Sequence, residues 1–96
     1  MKVIDGFILR KIQNQFLLIA YGTRAKEYSS MITMTDSAAF LWNALQKDIS
    51  MDDLIDITRQ TFPNTPESRI ASDIFSFVEE LKQEGLLEGD GGENRE

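Results

Sequence analysis

Residues 32–45 constrain the fold most, because a segment with strand-like alternation runs directly into a capped helical segment. Side chains in residues 28–34 alternate between two faces, as they do in a β-strand. Residues 35–37 (Thr-Asp-Ser) then offer oxygens that accept hydrogen bonds from the free amides of a helix N-terminus. Apolar residues recur beyond this point at helical spacing, namely Ala38, Leu41, Trp42 and Leu45. The junction therefore separates a sheet half from a helical half.

The sheet half is predicted to contain three strands. Residues 6–12 and 15–21 are rich in β-branched and aromatic side chains, and Gln13-Asn14 between them fits a two-residue hairpin turn in which Asn tolerates a positive φ. A polar loop at residues 23–27 precedes the third strand, residues 28–34, which we expect at an edge of the sheet.

The helical half is predicted to contain three helices. The first covers about residues 37–47, and the second covers about residues 51–61 with Ser50 as its N-cap. The third is expected to start with Thr65 as its N-cap followed by Pro66, and it continues to Glu84 before Gly85 closes it in a left-handed conformation. We expect one domain over residues 1–88 and a disordered acidic tail at residues 89–96.

Composition excludes several function classes. The chain of 96 residues contains no His and no Cys, so it lacks the common neutral-pH base, the thiolate nucleophile and the usual transition-metal ligands. We therefore predict no enzyme activity, no metal and no cofactor. The sequence shows no signal peptide and no apolar run that could cross a bilayer, which predicts a cytoplasmic protein without a membrane partner.

Charge argues against nucleic acid as a partner. The net charge is −6, made up of +3 over residues 1–35, −6 over residues 36–87 and −3 over residues 88–96. Affinity for nucleic acid depends on Lys and Arg that neutralise phosphates, and the third predicted helix carries far more acidic than basic groups. A DNA-binding winged helix is thus disfavoured, even though three helices beside a small sheet fit that architecture.

A helical wheel of the third predicted helix shows an apolar face wider than one contact requires. Ile70, Ile74, Phe77 and Leu81 form the core stripe, whereas Ala71, Phe75 and Val78 lie on its shoulder. The helix is either wedged between other elements, or its shoulder forms one wall of a ligand groove. An edge strand at residues 28–34 would supply the opposite wall and could accept an added peptide strand.

The central segment of the chain resembles the PqqD-like family. The resemblance is carried by Met34-Thr-Asp-Ser-Ala-Ala-Phe-Leu-Trp42, by Leu45 and by Ile49-Ser-Met-Asp-Asp-Leu-Ile55. Phe7-Ile-Leu-Arg10 upstream and Asp73-Ile-x-x-Phe-Val-x-x-Leu81 with Gly85-Leu-Leu87 downstream extend it over about residues 3–87. Thr35 stands where the family usually has Asn, and Lys47-Asp48 lacks the usual Gly.

This resemblance implies a RiPP recognition element, an α+β, winged-helix-like domain with a three-stranded antiparallel sheet followed by a three-helix bundle. Such peptide chaperones serve natural product biosynthesis. They capture the leader segment of a ribosomally made precursor peptide by β-strand addition and present it to a modifying enzyme, often a radical SAM protein. Carried over to this sequence, the peptide-binding residues would be Tyr28, Ser30, Met31, Ile32 and Thr33 on the strand, and Ala71, Ile74, Phe75, Val78 and Lys82 on the helix.

Other interpretations stay open at this point. The main alternative is a winged-helix-like scaffold for protein–protein contact, with DNA binding third, and a homodimer could form through the edge strand. Arg10, Lys11, Arg24 and Lys26 could steer an acidic leader. Under the peptide-binding interpretation, Ile32→Pro should remove an edge amide and abolish capture more than it harms the fold.

Overall fold

A computed structural model of the chain describes residues 1–28 and 31–88 and confirms the mixed α+β class. The predicted sheet is present as three antiparallel strands in the order β2-β3-β4, and two further short strands, β1 and β5, pair with each other. The elements are β1 (Lys2–Val3), β2 (Phe7–Ile12), β3 (Gln15–Ala20), α1 (Arg24–Glu27), β4 (Ile32–Met34), α2 (Asp36–Ala44), α3 (Met51–Thr61), α4 (Glu67–Gln83) and β5 (Leu87–Glu88).

The described residues form two compact units. One consists of residues 4–40 and contains the three-stranded sheet; the other consists of residues 1–3 together with residues 41–88. The boundary falls inside helix α2. The predicted tail, residues 89–96, lies outside the described residues.

The hairpin of β2 and β3 forms in the predicted register. Ile12 pairs with Gln15, so the connection is the two-residue loop Gln13-Asn14. The positive φ, however, belongs to Gln13 (58°) and not to Asn14. A positive φ at the first loop residue alone distinguishes this loop from a type I′ turn, which needs a positive φ at both loop residues.

Strand β4 is shorter than predicted. It comprises three residues, whereas the sequence pattern extended it from residue 28 to residue 34. The predicted polar loop at 23–27 contains a helical turn, α1, after which Tyr28 returns to an extended conformation. The amide of Tyr28 donates to the carbonyl of Arg24 at 2.9 Å, so Tyr28 closes this turn and does not belong to the sheet.

The predicted N-caps of α2 and α3 are confirmed. The amide of Ala38 donates to Oγ1 of Thr35 at 3.1 Å, and the amide of Asp53 donates to Oγ of Ser50 at 3.1 Å. Helix α3 has the predicted bounds, whereas α2 ends three residues earlier than predicted. Helix α4 begins differently, because Pro66 itself is its N-cap and no side chain caps it. The expectation that Thr65 caps this helix was wrong.

The C-terminus of α4 returns the chain to the first strand. Gly85 has a φ of 74°, its amide donates to the carbonyl of Lys82 at 3.1 Å, and the amide of Leu86 donates to the carbonyl of Leu81 at 2.8 Å. These two bonds define a Schellman motif, which satisfies carbonyls that the helix leaves free. Leu86 is buried, and the next two residues form β5 against β1.

The core of the larger unit is aliphatic around one aromatic anchor. Trp42 is buried, as are Leu41 and Leu45, with which it shares the helical spacing noted in the sequence. Thr58 is the only buried polar residue among those described, and its Oγ1 donates to the carbonyl of Leu54 at 2.7 Å, which removes the cost of burying a free hydroxyl. The apolar side chains buried in this unit are Met1, Val3, Leu41, Trp42, Leu45, Leu54, Ile70, Ile74, Val78, Leu81 and Leu86.

Candidate peptide-binding surfaces

The edge of the three-stranded sheet at β4 is the first candidate surface. In the part of the chain that the structure describes, β4 pairs with β3 alone. The other side of an edge strand carries backbone groups that can pair with a further chain. Successive residues of an antiparallel strand direct their N–H and C=O groups alternately toward the partner strand and away from it. This alternation, here called the parity of the ladder, decides which residues of β4 can pair with an added chain.

The β2–β3 hairpin fixes this parity. The amide of Tyr21 donates to the carbonyl of Gly6 at 2.9 Å, which extends the β2–β3 register by one hydrogen-bonded pair. Hydrogen-bonded and non-hydrogen-bonded pairs alternate along an antiparallel ladder. Leu17 therefore directs its N–H and C=O toward β2, and Leu18 directs its own toward β4.

Thr33 is the β4 residue whose backbone groups point away from the sheet. The register pairs Leu18 with Ile32 and Leu17 with Thr33. Because Leu18 faces β4, the N–H and C=O of Ile32 point to β3, and those of Thr33 point to the open side. The side chain of Thr33 is also exposed. One residue of the strand thus offers an adjacent donor and acceptor to an added chain.

The direction of the Ile32 backbone groups changes the effect expected of Ile32→Pro. Proline at this position would remove an amide that faces β3, so Ile32→Pro would damage the native sheet and not only the free edge. The prediction of a selective effect for that variant was therefore wrong. Sequence reasoning missed the special place of Thr33, because counting outward from the two-residue hairpin loop gives the alternation along β3 but not the register of β4 against it.

The other predicted strand residues lie around this edge. Ile32 is half-buried in β4, and Met31 precedes the strand with 60% of its side chain exposed. Tyr28 closes α1, and its ring contacts that of Phe7 edge-on with 5.2 Å between centroids. Ser30 lies outside the described residues.

Helix α4 carries the second candidate surface. Phe75 is 62% exposed, and Ala71, one turn before it, is half-buried. The remaining predicted apolar residues are in the core, since Ile74 and Val78 are only 1% and 2% exposed. Lys82 is exposed near the end of the helix, with its Nζ 3.7 Å from Oε1 of Glu79. Of the predicted wall, Phe75 is the large apolar side chain that a ligand can reach.

The predicted steering cations differ in what they contact. Arg24 donates through Nε to the carbonyl of Asp5 at 3.0 Å and through Nη1 to Oε1 of Glu27 at 3.1 Å. The Nζ of Lys11 lies 5.4 Å from the centroid of the Phe16 ring. Arg10 and Lys26 are exposed. Arg24 therefore has a structural role in holding the start of β2, while the other cations face solvent.

The described residues contain neither a metal site nor a membrane-spanning helix. Within residues 1–28 and 31–88, no group of His, Cys, Asp or Glu side chains is arranged to hold a metal ion. In the same residues, no helix combines the length and the apolar character needed to cross a membrane.

Comparison with known proteins identifies the family. The chain is similar over 93% of its length to a solved structure of TbiB1 in complex with the TbiA(beta) leader peptide, with a TM-score of 0.69, 18% sequence identity and 96% of that chain covered. No curated protein matched the sequence. The family model described as coenzyme PQQ synthesis protein D (PqqD) matches residues 17–87. The chain therefore belongs to the PqqD family.

Proposed function

We propose that this protein is a RiPP recognition element that binds the leader segment of a ribosomally synthesised precursor peptide. The observation that carries the proposal is the open edge of β4, where Thr33 presents its amide and carbonyl outward. Family membership and the similarity to TbiB1, which was solved with a leader peptide, support the same ligand class. The ligand would pair with β4 as an additional strand.

The sequence around β4 supports pairing with another chain. Proteins commonly protect an exposed edge with charged side chains or proline. Residues 28–35 contain neither, and they include Ile32 and Thr33, whose branched side chains favour strands. Met31, two residues before Thr33, would point the same way once an added strand extended the ladder to it.

The exposed side of α4 would contribute apolar contact. The family resemblance also assigns peptide-binding residues to this helix, and Phe75 is its large exposed apolar side chain. Burial of this ring by a leader side chain would add stabilisation that the backbone alone does not provide. Ile74 and Val78, which are in the core, would support the surface from beneath.

The expected affinity is modest. Each added strand hydrogen bond contributes about 0.5–1.5 kcal/mol net, and burial of one apolar side chain contributes about 1.5–3 kcal/mol. Pairing at Thr33 and Met31 gives four such hydrogen bonds at most. Association costs at least about 4 kcal/mol in lost freedom, which offsets much of this gain. The upper ends of these ranges leave about 5 kcal/mol, so we expect weak binding with a Kd of about 0.2 mM or above.

The protein would act beside an enzyme and would not itself catalyse a reaction. A leader bound along one edge leaves the rest of the precursor free to reach a modifying enzyme, of which a radical SAM protein is the class that the family resemblance suggests. Without His or Cys, the chain has few groups suited to acid–base or nucleophilic chemistry at neutral pH. Its cytoplasmic location stays a prediction from the sequence.

An amide NMR titration tests the proposal. The purified chain would be titrated with the leader peptide of a precursor encoded beside its gene, and with a scrambled peptide of the same composition as a control. We expect the leader alone to shift amides of residues 31–34 and of residues around Phe75. If a folded sample shows no shift with any neighbouring leader, the proposal fails and the protein–protein scaffold becomes the better interpretation.

A further inference from the structure

One face of the three-stranded sheet carries aliphatic side chains that peptide binding at the edge of β4 does not explain. Directly paired residues share a face, so the register places seven side chains together on what we call the open face. These are Ile8, Arg10, Ile12, Gln15, Leu17, Ile19 and Thr33. The opposite face carries Leu18 and Met34, which are buried.

The open face is aliphatic and accessible. Ile8 and Ile12 are 41% and 48% exposed, and Leu17 and Ile19 are half-buried. An antiparallel sheet with one face in solvent usually carries polar side chains on that face. This face carries four aliphatic side chains grouped together, which indicates a surface that a partner covers.

Arg10 defines the chemistry of this partner. It lies between Ile8 and Ile12 along β2 and pairs with Leu17 across the sheet. It is the one charged residue of the open face, and among the described residues no carboxylate lies within ion-pair distance of its guanidinium. A complementary partner therefore presents an apolar patch with a carboxylate directed at Arg10.

The position of the open face points to the identity of the partner. A strand added at β4 would place the side chain opposite Thr33 on this same face. A protein docked there would contact both the sheet and the bound leader. We infer that the open face docks the modifying enzyme, through an apolar enzyme surface that carries a carboxylate for Arg10. This inference rests on the proposed function.

Neighbouring residues provide a matched pair of variants. Arg10 and Lys11 are consecutive, exposed and basic, yet they lie on opposite faces of β2. Arg10→Glu and Lys11→Glu change the net charge equally. Only the first places a carboxylate on the open face, so general electrostatic steering affects both variants while a specific docking contact affects one.

The test measures two affinities for each variant, one for the leader peptide alone and one for the purified modifying enzyme encoded beside the gene. We expect Arg10→Glu to weaken enzyme binding at least about tenfold and Lys11→Glu to change it less than about twofold. Leader binding should respond equally to the two variants, because steering of an acidic leader depends on net charge and not on which face carries it. Ile12→Gln, with the charge unchanged, should also weaken enzyme binding. Circular dichroism would confirm that each variant is folded.

Other outcomes would overturn the inference. Equal effects of Arg10→Glu and Lys11→Glu on enzyme binding would show steering by net charge, and no effect of Arg10→Glu and Ile12→Gln would place the enzyme elsewhere. Self-association of the isolated protein that Arg10→Glu abolishes in sedimentation velocity would assign the open face to a second copy. Failure of the leader to bind the unaltered chain, by contrast, would count against the proposed function.

Discussion

The α-ammonium group of Met1 donates a 2.7 Å hydrogen bond to Oδ1 of Asp48. The same ammonium donates to the carbonyl of Ile49 at 3.0 Å, and the amide of Ile49 donates back to the carbonyl of Met1 at 3.0 Å. The first residue is thereby attached to the connection between α2 and α3. The hydrogen bond from the ammonium, together with its positive charge, lowers the pKa of the Asp48 carboxyl below its usual value.

Asp48→Asn should therefore destabilise the fold in a pH-dependent manner. A carboxyl whose pKa is lowered on folding contributes stability above its unfolded pKa of about 3.9, and this contribution disappears as the pH falls through the folded pKa. We expect the variant to be less stable than the unaltered chain at pH 6 and the difference to narrow below about pH 4. Urea unfolding at pH 6, 4 and 3 measures this difference in unfolding free energy.

Glu80→Gln is the control for this experiment, because it also removes one negative charge but on the exposed side of α4. A stability difference between Asp48→Asn and the unaltered chain that stays constant from pH 6 to pH 3 would contradict the role of the ion pair.

Gly6→Ala should be clearly destabilising. Gly6 has a φ of 102°, and an added Cβ would lie 2.1 Å from Cγ of Arg24. A non-glycine residue at such a φ costs on the order of 1–3 kcal/mol before any clash is counted. Gly22→Ala is the matched control, since Gly22 has a φ of 62° but no atom within 4 Å of the added Cβ.

Thermal and urea unfolding should therefore rank Gly6→Ala below Gly22→Ala in stability. The double variant Gly6→Ala with Arg24→Ala isolates the clash. In the background of Arg24→Ala, the penalty of Gly6→Ala should fall toward that of Gly22→Ala. An unchanged penalty would mean that the backbone conformation alone accounts for it.

Thr33→Pro should impair leader binding while leaving the native sheet largely intact. It removes an amide that points away from β3, and proline is tolerated on the free side of an edge strand. Loss of one strand hydrogen bond, with the ring in the way of the added chain, should raise the Kd of the leader about tenfold or more. Isothermal titration calorimetry measures this effect.

Ile32→Pro is the matched comparison, because its amide faces β3. We expect this variant to lose unfolding free energy more than Thr33→Pro does. If Thr33→Pro binds the leader like the unaltered chain, strand addition at β4 is wrong.

Phe75→Ala should weaken leader binding while leaving the unfolding free energy nearly unaltered. Because the ring is 62% exposed, its removal should change the unfolding free energy by less than about 1 kcal/mol. Its neighbour Ile74 is 1% exposed, and Ile74→Ala should cost about 2–5 kcal/mol. Only Phe75→Ala should weaken leader binding in a protein of nearly unaltered stability. Unchanged leader affinity in this variant would exclude the ring from the site.

Several elements could be predicted because they depend on neighbours in the chain. The N-cap of α3 needs only Ser50 and the amide of Asp53, and the left-handed residue after α4 needs only a glycine at position 85. The burial of Trp42 followed from the helical spacing of the apolar residues around it. The helical wheel was less accurate within α4, where Val78 is buried and Phe77 is only half-buried.

Tertiary structure decided the features that join distant segments. Strands β1 and β5 have two residues each, too few for a periodic signal, and they form only because the folded chain brings residue 3 beside residue 87. The extent of β4 was likewise decided by pairing with β3, since alternation alone allowed a strand twice as long.

The sequence by itself determined the family, the hairpin and the helix order, because these depend on local spacing and capping. Only the tertiary structure decided that Thr33 directs its backbone outward, that Arg10 stands on an aliphatic open face, and that Met1 reaches Asp48. The physical reason is that ladder parity, side-chain exposure and contacts between distant residues depend on which segments pair, and a local pattern does not carry that information.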